Sequence, residues 1–207
     1  MRNITYDPVC AEIFDSLRQQ ADDYRPTLVC GLYCPDADEV GLVQSTADAQ
    51  EMATKVDNNL MLPEDVLLLS LKPPQGGIEH EDTSIASVFE REIAQEAGEA
   101  VLDVVVSVHG IRTEVPIIGG RPRDGKRLKT FGFVLGITNA TPEMHPADRQ
   151  EVSRAGWLGV EAAQGLFQRQ GRRGSTAGRG ERSLIVTDYI RTLFPLPPDL
   201  EEDDLDD

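Results

Sequence analysis

Cysteine is scarce in this 207-residue chain: Cys10, Cys30 and Cys34 are too few, and odd in number, to make a disulfide framework. A reducing, cytoplasmic setting is the expectation. Cys30 and Cys34 share one face of a strand-like segment; with no histidine beside them they read as small core residues rather than metal ligands. Long apolar runs are missing too. The longest, Val66-Leu67-Leu68-Leu69, falls far short of the ~20 residues of a membrane span. The opening residues are polar and acidic where a secretory signal carries an apolar stretch. His80, His109 and His145 make neither a zinc spacing nor a Ser-His-Asp order. Positive charge is the remaining shortage: 20 Lys and Arg stand against 36 Asp and Glu, a net charge of −16. A protein that wraps long duplex nucleic acid meets its phosphates with cations, so that class is excluded.

What is present divides the chain into segments. Residues 1–22 hold an amphipathic helix, with Asp7 as N-cap, Pro8 at the first helical position, and Val9, Ile13, Phe14 and Leu17 at helical spacing. A main domain spans 23–168. Within it Thr27 to Tyr33 and Val40 to Gln44 read as a hairpin around the turn Pro35-Asp36-Ala37-Asp38. A short helix and loop follow over Ala47 to Leu62, then a buried strand over Val66 to Leu71. Pro73 to Gly77 reads as a loop outside both helix and sheet. A helix is expected over Thr83 to Ala97, strands over Val101 to His109, Ile111 to Ile118 and Phe131 to Thr138, and a helix after Trp157 through Phe167. Trp157 itself reads as a core residue. Residues 169–180 belong to a flexible Gly- and Arg-rich connector that begins near Gln168, 181–195 to a last amphipathic helix, and 196–207 to an acidic, solvated tail. The unequal mixture of strands and helices predicts an α+β fold, a mixed sheet flanked by helices.

The Thr83 to Ala97 helix is built against the usual rule. Ile85, Val88, Phe89 and Ile93 form an apolar arc, and Glu92 and Glu96 fall in its middle, one turn apart on the same face. A charge facing a core costs several kcal/mol unless it is neutralised. Either a divalent cation meets both carboxylates, or the helix rolls them to solvent, or one pairs with Arg91. The helix follows Gln75-Gly76-Gly77-Ile78, where backbone can approach a ligand closely.

These residues resemble the Nudix box: Gly, five of any residue, Glu, seven of any, then Arg-Glu-apolar-any-Glu-Glu-any-Gly-apolar. Gly77, Arg91, Glu92, Ile93, Glu96 and Gly98 match at the right spacing, while Thr83, Gln95 and Glu99 depart from it. Beyond the box, Tyr24-Arg25-Pro26, Pro74-Gln75-Gly76-Gly77-Ile78 and Gly125-Lys126-Arg127 resemble the bacterial RNA pyrophosphohydrolases and the dinucleoside polyphosphate hydrolases. The likeness covers about Asp23 to Phe167.

The resemblance implies a Nudix fold, an α/β/α sandwich around a mixed β-sheet. It implies metal-dependent hydrolysis of a phosphoanhydride in a nucleoside polyphosphate, with an RNA 5′ end favoured and dinucleoside polyphosphates next. Mg2+ or Mn2+ would be held by Glu92 and Glu96, by Glu151, which stands where the subgroup has a further metal-binding glutamate, and by the Gln95 carbonyl oxygen. The three glutamates would also carry catalysis. Arg25, Gln75, Gly76, Gly77, Lys126 and Arg127 would line the substrate. Thr83 can cap the helix, and Glu81 or Asp82 can supply a carboxylate from a shifted position. Charge patterning adds that Arg121, Arg123, Lys126, Arg127 and Lys129 form either a solvated loop or a collar for polyphosphate. The acidic tail offers a surface for a protein partner or for that loop. The gaps at Thr83 and Gln95 keep a second reading open, a catalytically weak or inactive module that binds a nucleotide or a protein.

Overall fold

A computed structural model of the chain describes residues 2–58, 70–119, 128–147, 150–172 and 177–195, with Asp48, Glu51, Met52, Lys55, Val56 and Ala177 described by backbone alone. Its first half runs β1 Thr5–Tyr6, α1 Pro8–Gln19, β2 Arg25–Cys34, β3 Glu39–Ser45, α2 Thr46–Asp57, β4 Leu71–Lys72, β5 Gln75–Gly77 and α3 Ile85–Glu96. The second half runs α4 Glu99–Leu102, β6 Val105–Ile111, β7 Ile117–Gly119, β8 Lys129–Thr138, β9 Val152–Gly159, α5 Val160–Gly171 and α6 Ala177–Leu193.

The strands form one mixed sheet in the order β1-β6-β8-β2-β3-β4, with β5 paired to β2, β7 to β8 and β9 to β3. β2 is its spine. It runs parallel to β8 from Arg25↔Lys129 to Tyr33↔Ile137, and its other edge is shared between β5 and β3. Alternation along β2 feeds two cores. Leu28, Cys30 and Leu32 face one side, where Cys10 and Leu17 of α1 and Ile85, Val88, Phe89 and Ile93 of α3 close over them. Val29 and Tyr33 face the other side, under Leu166 and Phe167 of α5 and Val186 and Ile190 of α6. The result is the expected α+β class, a mixed sheet with helices on both faces. No helix among the described residues is long and apolar enough to cross a membrane.

Local chemistry sets the element ends. Asp7 caps α1, accepting from the Cys10 amide at 3.1 Å, and Pro8 opens the helix without a donor to satisfy. The expected hairpin turn holds Asp38, whose carboxylate takes both terminal nitrogens of Arg191 at 2.9 and 2.8 Å and so ties α6 to the β2–β3 turn. All three cysteines are buried as free thiols.

Several expected boundaries are corrected. Gln75–Gly77, read as loop, is a strand, because Pro74 precedes it with a carbonyl that still accepts from Cys30 at 2.8 Å and the glycines fit flat against β2. Val101 and Leu102 close the short helix α4 rather than opening a strand, and the strand Val105–Ile111 runs on through His109. Of the segment expected as a strand from Ile111 to Ile118, only its two ends pair. Gln168 to Gly171 complete α5, and Ala177 to Gly180 open α6, so helix replaces most of the expected connector. Residues 66–69, most of the basic loop, Lys126 and Arg127 included, and the acidic tail lie outside the described residues.

Gly98 ends α3 at φ +106°, and a Cβ there would stand 2.6 Å from the His145 carbonyl oxygen. Both the backbone region and the space exclude a side chain. Gly98→Ala is expected to lower stability by about 2 kcal/mol, roughly 4–8 °C in Tm, measured by thermal unfolding.

Candidate metal and phosphate site

The rotation of α3 about its axis is fixed at both ends. Ser84, not Thr83 as expected, is the N-cap: it accepts from the Ser87 amide while the Ser87 hydroxyl accepts from the Ser84 amide. At the other end the Ala97 and Gly98 amides both bond the Ile93 carbonyl, at 2.9 and 2.8 Å. With Phe89 and Ile93 sealed in the core, the wheel leaves Glu92 and Glu96 facing inward, 5% and 7% exposed. The helix does not roll them out.

Both carboxylates are delivered onto the backbone of β5. The Glu96 carboxylate accepts from the Gln75 amide at 2.8 Å. The Glu92 carboxylate lies against Gly76 so closely that a Cβ at that position would fall 1.8 Å from its oxygen. Gly76 is therefore part of the seat, and any side chain there would occupy it. Burial pushes the Glu92 carboxyl up to about 7, with Arg91 opposing and Glu96 and Glu151 adding to the rise. Burial also raises Glu96, against the pull of Lys72, the Gln75 amide and Lys129, while Glu151 again adds to the rise. Behind the pair lies the fully buried Cys30 thiol, raised by burial and by both carboxylates.

Arg91 braces this arrangement. Its guanidinium bonds the neighbouring Glu92 carboxylate, the Gly77 carbonyl at 2.8 Å and the buried Asp82 carboxylate at 2.8 Å. Asp82 also accepts from the Glu79 amide at 2.8 Å. Thr83 supplies no carboxylate, and Asp82, one residue earlier, holds the arginine. Asp82 is thereby committed to Arg91 and does not join the Glu92–Glu96 pair.

The remaining candidates are placed as follows. Glu151 lies just ahead of β9 with an exposed side chain, and its charge reaches both buried glutamates. Gln95 is exposed, and its backbone carbonyl accepts from Ala147 at 3.0 Å. Arg25 opens β2 on the surface, its guanidinium 3.9 Å from where a Gly77 Cβ would stand. Lys129 pairs in register with Arg25. Trp157 is half-buried in the α3-side core and donates to the Pro142 carbonyl at 2.8 Å, while His80 sits exposed in the loop ahead of α3. Lys72, which its sequence context does not single out, is a mostly buried residue whose charge acts on Glu96. Its only signal was a lone charge on the apolar segment just ahead of Pro73-Pro74. Among the described residues no three acidic, histidine or cysteine side chains gather closely enough to hold an ion. What the structure brings together is a pair, Glu92 and Glu96, with Glu151 at longer range. Two buried carboxylates over a glycine-lined strand form an all-oxygen donor set, which fits a hard divalent cation.

No protein-family model matches the chain, and no curated protein matches it. Among solved structures it is similar to the E. coli dihydroneopterin triphosphate pyrophosphohydrolase, with 15% identity, a TM-score of 0.49, and 78% of this chain and 97% of that one covered. It is also similar to a C. elegans Ap4A hydrolase binary complex, with 15% identity, a TM-score of 0.48, and 82% and 97% covered. A third is the Nudix domain of Shewanella oneidensis NrtR complexed with ADP-ribose, with 14% identity, a TM-score of 0.44, and 67% and 74% covered.

A carboxyl raised in the folded state costs stability wherever the unfolded chain ionises more readily. For Glu92 that cost is absent below its ordinary value of 4.5, grows as pH rises, and is complete above about 7. In the presence of a chelator, Glu92→Gln is therefore expected to match wild type near pH 4.5. By pH 8 it should exceed it by roughly 1–3 kcal/mol, read from denaturant unfolding across that range.

Proposed function

We propose that this chain is a divalent-cation-dependent hydrolase of the Nudix kind. It cleaves a phosphoanhydride in a nucleoside polyphosphate, with the pyrophosphate of an RNA 5′ end the favoured substrate and a dinucleoside polyphosphate next. The observation that carries the reading is the Glu92–Glu96 pair, buried one turn apart and seated on the Gln75–Gly76 backbone. A folded protein keeps two like charges in such a place at a cost in stability, and a bound cation is what that cost serves. The spacing of Gly77, Arg91, Glu92, Glu96 and Gly98 supports the same reading.

In this account Glu92 and Glu96 would hold Mg2+ or Mn2+, with Glu151, at longer range, as the third carboxylate and the Gln95 side-chain carbonyl as a neutral donor. When bound, the ion supplies positive charge beside the phosphate oxygens. The chain's own residues do the rest. A carboxylate, with Glu151 the accessible one, takes the proton of the attacking water. The new P–O bond forms as the bridging P–O bond breaks, and the leaving phosphate departs with the bridging oxygen. Gln95 has no charge and cannot act as this base. Arg25, beside Gly77, meets phosphate; Lys126 and Arg127, which lie outside the described residues, are the further cations assigned to substrate by the motif they share with the family. The buried free cysteines support a cytoplasmic setting.

A second reading is favoured by specific residues: Thr83 and Gln95 remove two carboxylates, which suits a module that binds a nucleotide or, through its acidic tail, a protein. The experiment is phosphate release from 5′-triphosphorylated RNA, diadenosine polyphosphate and simple nucleotides with Mg2+ or Mn2+. Glu96→Gln is expected to lose at least about 100-fold in rate, the scale of removing one charge-stabilising group. No release by wild type, with nucleotide binding intact, establishes the binding module. Equal release by wild type and variant overturns the metal site.

A further inference from the structure

Lys72 stands apart from the other cations near the site. Cross-strand partners in an antiparallel sheet project to the same face. Lys72 on β4 is opposite Val43 on β3, and Val43 is opposite Ala155 on β9. Ala155 packs into the α3-side core, so this row places the Lys72 side chain on the face that carries Glu92 and Glu96. The residue is only 8% exposed. A lysine packed over most of its length holds its ammonium in one place, where an anion is met with little further ordering. Yet among the described residues the Lys72 side chain meets no hydrogen-bond partner and no carboxylate at ion-pair distance, although its charge acts on Glu96. The segment that follows fixes its position relative to the pair. Pro73 and Pro74 lock the chain between Lys72 and Gln75, whose amide is bound to Glu96.

We propose that Lys72 is an anion-binding residue of this cleft, its ammonium meeting a non-bridging phosphate oxygen of the ligand beside Glu96. The inference rests on the hydrolase reading for the identity of the ligand, a phosphoanhydride, but its geometry stands on the strand register and burial of Lys72. It also gives the missing charge at Gln95 a consequence. With one carboxylate fewer and a lysine buried nearby, the cleft is less negative and takes part of its hold on phosphate from the protein itself. Lys72 is thereby a specificity residue for the phosphate group, distinct from the metal-holding pair.

The test is calorimetric titration of the full chain with Mn2+ alone and then with inorganic pyrophosphate in saturating Mn2+, in wild type, Lys72→Met and Lys72→Arg. Methionine keeps the buried stem's volume and removes only the charged tip, so the variant is expected to fold. Lys72→Met should weaken pyrophosphate roughly 10- to 100-fold, the loss of one charge-assisted contact. Mn2+ affinity should stay within about threefold of wild type or tighten, since a like charge has been removed. Lys72→Arg should recover part of the pyrophosphate affinity. Pyrophosphate affinity within twofold of wild type in Lys72→Met overturns the proposal, as does an equal loss of Mn2+, which would make Lys72 a support for the carboxylates. Wild type that binds pyrophosphate through Lys72 but hydrolyses nothing would sink the hydrolase reading alone. Unchanged KM in a fully active Lys72→Met would sink the Lys72 assignment alone.

Discussion

Two carboxylates on one helix face, turned toward a core, set the terms for the rest of this molecule. Glu92 and Glu96 are one turn apart on α3 and almost fully buried, among Phe89, Ile93 and Val88. Ordinary folding would rotate such a helix by a quarter turn and release both charges to water. The rotation is blocked because the same face carries the apolar side chains that cover β2. Any roll that frees the glutamates exposes Phe89 and Ile93, at about 2–3 kcal/mol each. The strain of like charge is thus held by hydrophobic burial, and the site is placed by the core.

The surroundings are shaped to this pair. Gly76 leaves room for one carboxylate against the strand, and the Gln75 amide binds the other. Arg91 reaches from Glu92 to Asp82 and the Gly77 carbonyl, so the loop ahead of the helix and the helix itself are clamped by one guanidinium. These contacts lower the cost of the buried charge without removing it: both carboxyls remain raised by burial. A residual cost at one spot, in an otherwise well-packed sheet, marks the pair as a candidate site for positive charge.

Much of this was legible in the sequence, and the residues show why. The α3 wheel depends only on helical period, so spacing alone puts Glu92 and Glu96 on the apolar arc, while whether the helix rolls is decided by the core it covers. The α1 cap at Asp7 was equally local. What escaped depends on contacts distant along the chain. Gln75–Gly77 looked like loop because prolines and glycines punctuate it, yet β2 supplies the pairing partner that makes it a strand. The choice of Ser84 over Thr83 as cap is decided by Ser87 three residues on, which closes a reciprocal pair with Ser84. Asp82 is a candidate substitute carboxylate by sequence, but its commitment to Arg91 emerges only in three dimensions. Lys72 carried almost no sequence signal, because its meaning comes from strands β3 and β9 beside it.

The most direct test of the central claim is thermal unfolding at pH 7.5 with increasing Mn2+, for wild type and for the double variant Glu92→Gln/Glu96→Gln. A ligand that binds only the folded chain raises its stability by about 2.7 kcal/mol at a hundred times its Kd. Wild type is expected to gain Tm with each increment of Mn2+, while the double variant, more stable at the outset, gains nothing. An equal Mn2+ shift in both proteins, or none in wild type, would contradict the account, for the buried pair would then not be a cation site.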